Sequence, residues 1–323
     1  MKQSPLLRAR RSSDESAWTL IGIVALLVAI SEWRRPLSIA PASLQAAICA
    51  CLALGATAWF YTGRDRRVTV MCLSATHIVL FTALGSILSY LEARQGGALW
   101  DETFIAWDRA LGFDGLAYLH WVDERPLVAA ALSFAYNSML PQLALLVLAL
   151  GFIKKLELLR TVMLAAIISG TVTIILSPCL PATTISNHLG LDANKDAWIG
   201  DLVALRAGSM TMIDLTTLQG IIAFPSYHAG LATVMLFGFA FSGLPLFRSV
   251  GTVIATLTIA SAPVDGGHYL VDVIAGCAIG ALSMLTAQKT IYWRPVTFAL
   301  KAGALRLPMQ FSGPMQKKPT TWM

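Results

Sequence analysis

The chain has 323 residues, of which 56% are hydrophobic and only 13% charged, a balance that excludes an ordinary soluble globular protein. Its net charge of +6 comes from Lys and Arg that alternate with long apolar runs and form no recognition surface, so nucleic acid is not an expected partner. The runs are long enough to cross ~30 Å of hydrocarbon, which takes about 20 residues, and they lack the short alternating pattern of a β-barrel. The expected class is an all-α integral membrane protein.

In chain order, residues 1–16 form a polar tail carrying Lys2, Arg8, Arg10 and Arg11, followed by an apolar segment over 17–31. Ala40-Pro41-Ala42 offers a small-residue cleavage site downstream, but Glu32, Arg34 and Arg35 intervene, so the segment is read as a retained first span rather than a signal peptide. Further spans are expected at 41–62, 68–91, 127–152, 159–177, 221–242, 247–263 and 269–290. That makes about eight, in one membrane domain over 17–292 without internal repeats, before a tail at 293–323. Gly243-Leu244-Pro245 makes the turn between the sixth and seventh.

Two connections are long. Residues 92–126 mix acids with aromatics, and Phe104, Trp107 and Leu111 recur at helical spacing, which predicts an interfacial helix along the membrane. Residues 178–220 open with Pro178-Cys179-Leu180-Pro181 and hold Lys195 and Arg206. With the N-terminus cytoplasmic, 17 of the 24 Lys and Arg fall on the cytoplasmic side, so both tails are expected inside and both long loops outside. Cys49, Cys51, Cys72, Cys179 and Cys277 show no paired metal spacing and read as packing residues, with neither a disulfide framework nor a zinc site expected.

Two polar clusters interrupt apolar sequence within 220–280: Phe224-Pro225-Ser226-Tyr227-His228-Ala229-Gly230 and Asp265-Gly266-Gly267-His268-Tyr269-Leu270-Val271-Asp272. One apolar out-and-back excursion separates them, so both are expected at the same outer face. His268 and Asp272 are four apart at a helix start and share a face. There a carboxylate can hold the imidazole in one tautomer, which makes His268 a competent nucleophile toward phosphorus, while His228 can protonate the departing oxygen. Helix starts attract anions, so Ser226 at the head of one helix and Gly266 and Gly267 ahead of the other are expected to cradle the phosphate. Tyr227 joins them as a candidate substrate-binding residue. Lys195 and Arg206 are the nearest cations by topology, with Arg94, Arg109 and Arg125 as alternatives.

Pro225-Ser226-Tyr227-His228 resembles the P-S-x-H motif of the type-two phosphatidic acid phosphatase superfamily, and His268-x-x-x-Asp272 resembles its H-x-x-x-D motif. The local wording is similar to the inositol phosphorylceramide synthase and sphingomyelin synthase branch. The resemblance implies a six-helix phosphatase-like core, His268 as nucleophile, Asp272 as its orienting partner, His228 as acid, and no metal or other cofactor. Two departures stand out. No convincing counterpart of the family's Lys and Arg-Pro pair is found upstream, Arg294-Pro295 with Lys289 before it lies beyond the last span, and Ser261 is followed by Ala262 where the family commonly has Arg. Both remove phosphate-binding cations and fit the synthase-like branch.

Other polar residues have plainer readings. His188-x-x-x-Asp192 repeats the spacing within a polar loop, His120 near Asp123 reads as interfacial, and His77 as a packed and bonded residue in mid-span. Tyr136, Asn137, Ser138 and Gln142 form a stripe suited to interhelical hydrogen bonds or to a headgroup pocket. The expected function is a lipid phosphatase or phosphotransferase at the outer face of a bacterial inner membrane. Its expected partners are a lipid phosphate or phosphodiester and a lipid alcohol acceptor. A multi-span transporter or channel is the alternative from another class, and His228, His268 and Asp272 as metal ligands a third reading.

Overall fold

A computed structural model describes residues 5–190 and 197–292. Thirteen α-helices account for nearly all of the regular structure among them: α1 (Pro5–Arg34), α2 (Pro41–Tyr61), α3 (Arg66–Ala93), α4 (Asp101–Ala110), α5 (Gly115–Asp123), α6 (Pro126–Asn137), α7 (Met139–Phe152), α8 (Leu156–Leu176), α9 (Ile185–His188), α10 (Ala197–Arg206), α11 (Tyr227–Ala240), α12 (Pro245–Asp265) and α13 (Leu270–Tyr292). Their starts follow local chemistry. Pro41, Pro126 and Pro245 stand in the first turns of α2, α6 and α12, where a missing N–H costs nothing. The Asp65 carboxylate caps α3 by accepting from the Arg67 N–H at 2.8 Å.

Six helices are long and apolar enough to cross a membrane, and α6 with α7 makes a seventh if the pair, bent by 57°, is one span. The expected count of about eight is reached only by including α11, whose 14 residues extend ~21 Å at 1.5 Å per residue. Hydropathy placed that span at 221–242, but residues up to Ser226 stay outside the helix, because a residue before proline is driven from the helical region and Pro225 donates no hydrogen bond. The α6–α7 break is held by side chains. Gln142 Nε2 donates to the Ala135 carbonyl at 3.1 Å and to Thr258 Oγ1 on α12 at 3.2 Å, so the polar stripe does make interhelical bonds.

The connections sort to the two ends of the bundle. At one end, the α1–α2 turn pairs Ser38–Ile39 (β1) in parallel with Met212–Ile213 (β2) of the second long connection, and Arg94 donates to the carbonyls of Arg35 and Pro36. At the other end, Arg160 bonds Asp14 at 3.2 Å and Arg66 bonds Glu157 at 2.6 Å, joining α1, α3 and α8. His77 is buried among these helices, edge-on to Trp18 with centroids 4.7 Å apart. It is packed as expected, but its Nε2 has no hydrogen-bond partner among the described residues.

At the heart of the bundle α11 lies against α13 through glycine. A Cβ on Gly276 would collide with the Ser226 carbonyl, and one on Gly280 with the Gly230 carbonyl. This Gly-x-x-x-Gly seam lets two backbones meet where side chains would hold them apart, which is how helices associate when no water drives them together.

The helix α4 docks on the start of α13. Its apolar positions do not share one surface as periodicity suggested. Phe104 is fully buried against Phe224 and Tyr269, at centroid distances of 5.2 and 5.6 Å, while Trp107 and Leu111 are exposed. Asp108 explains the inward turn, since its two carboxylate oxygens accept from the Leu270 and Val271 N–H groups at 2.8 and 2.9 Å. Burial pushes this carboxyl above the ordinary range, against the lowering effect of those N–H groups.

Replacing Gly276 by Ala should cost ~1–3 kcal/mol by forcing α11 and α13 apart, measured as a lower unfolding temperature in nanodiscs. Asp108→Ala, which leaves two buried N–H groups without an acceptor, should cost about 2 kcal/mol in the same assay, and Asp108→Asn less, because it keeps one acceptor and has no charge to desolvate.

Candidate active site

Each polar cluster is shaped by its own backbone. Ser226 caps α11, its Oγ accepting from the Ala229 N–H at 3.3 Å, and its own N–H donates to the Asp272 carbonyl at 3.1 Å. The residue is wholly buried, so the hydroxyl expected on the phosphate serves the helix end instead. His228 then falls in the first turn of α11. Its ring lies face to face on Tyr136 of α6, with centroids 4.5 Å apart and planes 11° from parallel. Tyr227 points toward α8, where its hydroxyl donates to the Ala166 carbonyl at 3.3 Å.

In the second cluster α12 ends at Asp265 and the chain reverses through Gly267, whose φ of +65° is open to glycine but strained for other residues. The turn is tied by the His268 N–H, which donates to the Ala262 carbonyl at 3.2 Å. His268 Nδ1 then faces Asp272 Oδ2 at 3.6 Å. That is longer than a hydrogen bond, and it is an electrostatic contact of a kind that tightens when a substrate closes the site. Asp272 has no exposed surface, and its Oδ2 also accepts from the Tyr269 N–H at 3.0 Å. A buried carboxylate thus stands beside the imidazole.

The two clusters meet. The rings of His228 and His268 stand 6.4 Å apart between centroids, and both line one cavity of ≈ 280 Å³. Tyr136, Tyr227, Asp265 and Gly266 share its wall, whereas Ser226, Gly267 and Asp272 do not. Tyr136 so answers the second reading of the polar stripe, as a pocket residue.

The first N–H groups of α13, expected with Gly266 and Gly267 to receive the phosphate, are already engaged. Asp272 accepts from Tyr269, and Asp108 from Leu270 and Val271. Two carboxylates occupy the positive end of the helix, and a phosphate would have to displace them. Asp101 completes this frame, accepting at 2.8 Å from the Tyr269 hydroxyl and from the N–H and hydroxyl of Thr183. Burial and the Asp101 charge push the Tyr269 phenol well above its ordinary pKa, which keeps it a neutral donor. The roles of Asp101 and Asp108 escaped the sequence reading. Their partners lie more than eighty positions away in the chain, and no spacing rule connects residues so distant.

Among the described residues no Lys or Arg lines the cavity. Arg206 lines a smaller neighbouring cleft of ≈ 30 Å³ with Glu92, and its Nη1 donates to the Gly97 carbonyl at 3.2 Å. Ser89, Ile221 and Ile222 stand between the two spaces. Arg94 is held by backbone carbonyls, and Arg125 lies over Trp121, 4.5 Å from its centroid. Lys195 and Asp192 lie outside the described residues, and His188 ends the short helix α9. Among the described residues no three His, Cys, Asp or Glu side chains are grouped so as to hold a metal, so His228, His268 and Asp272 do not form a ligand set.

The family model of the PAP2 superfamily matches residues 102–286, which include both clusters and all of α4 after Asp101, while the α3 side of the cavity wall lies ahead of the match. No curated protein and no solved structure matches the chain. With more than half of its length matched, and with the two histidines of its two clusters facing one cavity, the chain belongs to the PAP2 superfamily, whose membership supports a phosphatase-type function in general.

Proposed function

We propose that the protein cleaves a lipid phosphoester or phosphodiester through a phosphohistidine intermediate on His268. The observation that carries this reading is the approach of His268 and His228 to the same cavity, with Asp272 behind His268 on the side away from it. Because Nδ1 faces the carboxylate, the proton is expected there and the Nε2 lone pair is left to attack phosphorus. As the N–P bond forms, the P–O bond to the leaving group breaks, and His228 gives that oxygen a proton. In the second half-reaction water or a lipid hydroxyl returns a proton to His228 and attacks phosphorus, and the N–P bond to His268 breaks. With water the products include free phosphate or a phosphomonoester. With a lipid alcohol the product is a new phospholipid.

Transfer is favoured over hydrolysis by the wording of the motifs, which is similar to the inositol phosphorylceramide synthase and sphingomyelin synthase branch, and by the loss of the cations of the phosphatase pattern. Lys195 and Arg206 are the cations proposed to meet the phosphate, Arg206 from the neighbouring cleft. The distribution of Lys and Arg supports a reading with both termini in the cytoplasm and the site on the outer face, and the membrane is proposed to be a bacterial inner membrane.

His268→Ala should lower turnover by at least ~10³-fold with the unfolding temperature unchanged, and full activity in that variant would sink the mechanism. His228→Asn should slow formation of the intermediate by about 10²–10⁴-fold in single-turnover experiments, the range for loss of a general acid. Lys195→Ala should raise KM for the lipid phosphate, and a normal KM would remove it from the site. Incubating purified protein with a panel of lipid phosphates and phosphodiesters, with and without a lipid alcohol, separates the outcomes: a new phospholipid marks transfer, and released phosphate or phosphomonoester marks hydrolysis.

A further inference from the structure

The cavity extends beyond the histidines into a limb between α3 and α8. On α3, Thr82 and Ser86 are four residues apart and share the face that lines it. Thr173 lines it from α8, and Gln219 from the connection ahead of α11. Tyr227, next to His228, packs against Gly170 one turn before Thr173, so the limb begins beside the acid. Thr173 is the informative residue. It is 1% exposed, and its Oγ1 has no hydrogen-bond partner, whereas Thr171 two positions earlier bonds back to the Ile167 carbonyl. Threonines in helices ordinarily satisfy themselves in that way, and a buried hydroxyl that does not is costly unless something else meets it.

We infer that this limb is a binding site for a neutral, hydroxyl-bearing group, carried by the headgroup of the lipid donor or by the alcohol acceptor, with Thr173 as its buried anchor. Hydroxyl and amide side chains both donate and accept, and they match a ligand that does the same. Among the described residues the limb has no cation to draw in a second phosphate. Thr82 and Gln219 are exposed, so the group has a way in, and Thr173 is where it ends. The inference rests on the phosphotransfer reading for what is done to the ligand, but the preference itself is a matter of binding.

The test uses the full chain in nanodiscs and reads lipid retention by native mass spectrometry. One arm compares phosphatidylglycerol with phosphatidylmethanol, which share a phosphodiester charge and differ in headgroup hydroxyls. The other compares monooleoylglycerol with methyl oleate, a hydroxylated lipid and one without. Wild-type protein should favour the hydroxylated member of at least one pair by about threefold to tenfold, the value of one or two neutral hydrogen bonds, and the arm that responds names the source. Thr173→Val should bring that preference close to one, and Ser86→Ala, on the facing wall, should weaken it where the valine variant fails to fold. Equal retention in both pairs, or a preference untouched by both substitutions, overturns the inference. A preference that persists in a protein with no phosphoryl-transfer activity on any lipid of the panel overturns the phosphotransfer reading and leaves the site standing.

Discussion

The close approach of α11 and α13 is the contact on which the rest depends. Gly276 and Gly280 bring the second helix against the backbone of the first, so that the Ser226 N–H reaches the Asp272 carbonyl. That single bond joins the two polar clusters at their roots. His228 rises from one helix end and His268 stands before the other, and their separation follows from how near the axes can come. In a membrane interior no hydrophobic gain compels helices to touch. A seam of small residues converts an arrangement that is only permitted into one that is close and repeatable.

A second layer of order comes from acids. Asp108 and Asp272 between them satisfy the first N–H groups of α13, and Asp101 holds the Tyr269 hydroxyl. These carboxylates make a rigid frame behind His268, but they also fill the positive end of the helix that would otherwise receive an anion. The site therefore has to balance a phosphate's charge from another direction. Its described walls combine aliphatic and aromatic side chains and glycines with hydroxyls and one amide, besides Asp265 and the two histidines. Such a lining orients a ligand by directional hydrogen bonds more than by net charge.

The first long connection has a role beyond joining spans. Through Phe104 and Asp108 the helix α4 is joined to the turn that carries His268, while Trp107 and Leu111 remain on the outside. Its amphipathic pattern was visible, but a pattern shows which residues are apolar and leaves open whether they meet lipid or protein. The 57° break between α6 and α7 is similar in kind. Pro141 follows the bend, where it offers no N–H to the Asn137 carbonyl and crowds it, and Gln142 and Thr258 meet the freed Ala135 carbonyl, bonds that become apparent only when α12 is beside it.

By itself the sequence determined what local chemistry determines: apolar runs long enough to cross a bilayer, caps and turns at their ends, and a histidine and carboxylate one helical turn apart. Those features depend on neighbours within a few positions, so the class of the protein and the pair His268 and Asp272 were legible, as was the pairing of His228 with His268 once the two motifs were set side by side. The tertiary structure decided the rest. It shortened the sixth apolar segment to 14 residues, took Ser226 out of the cavity and put Tyr136 into it, separated Arg206 from the histidines, and left the Thr173 hydroxyl buried without a partner among the described residues. Each of these outcomes depends on which helix stands against which. Contacts between residues a hundred positions apart are set by packing, and packing leaves no period or spacing in the chain from which it could be read.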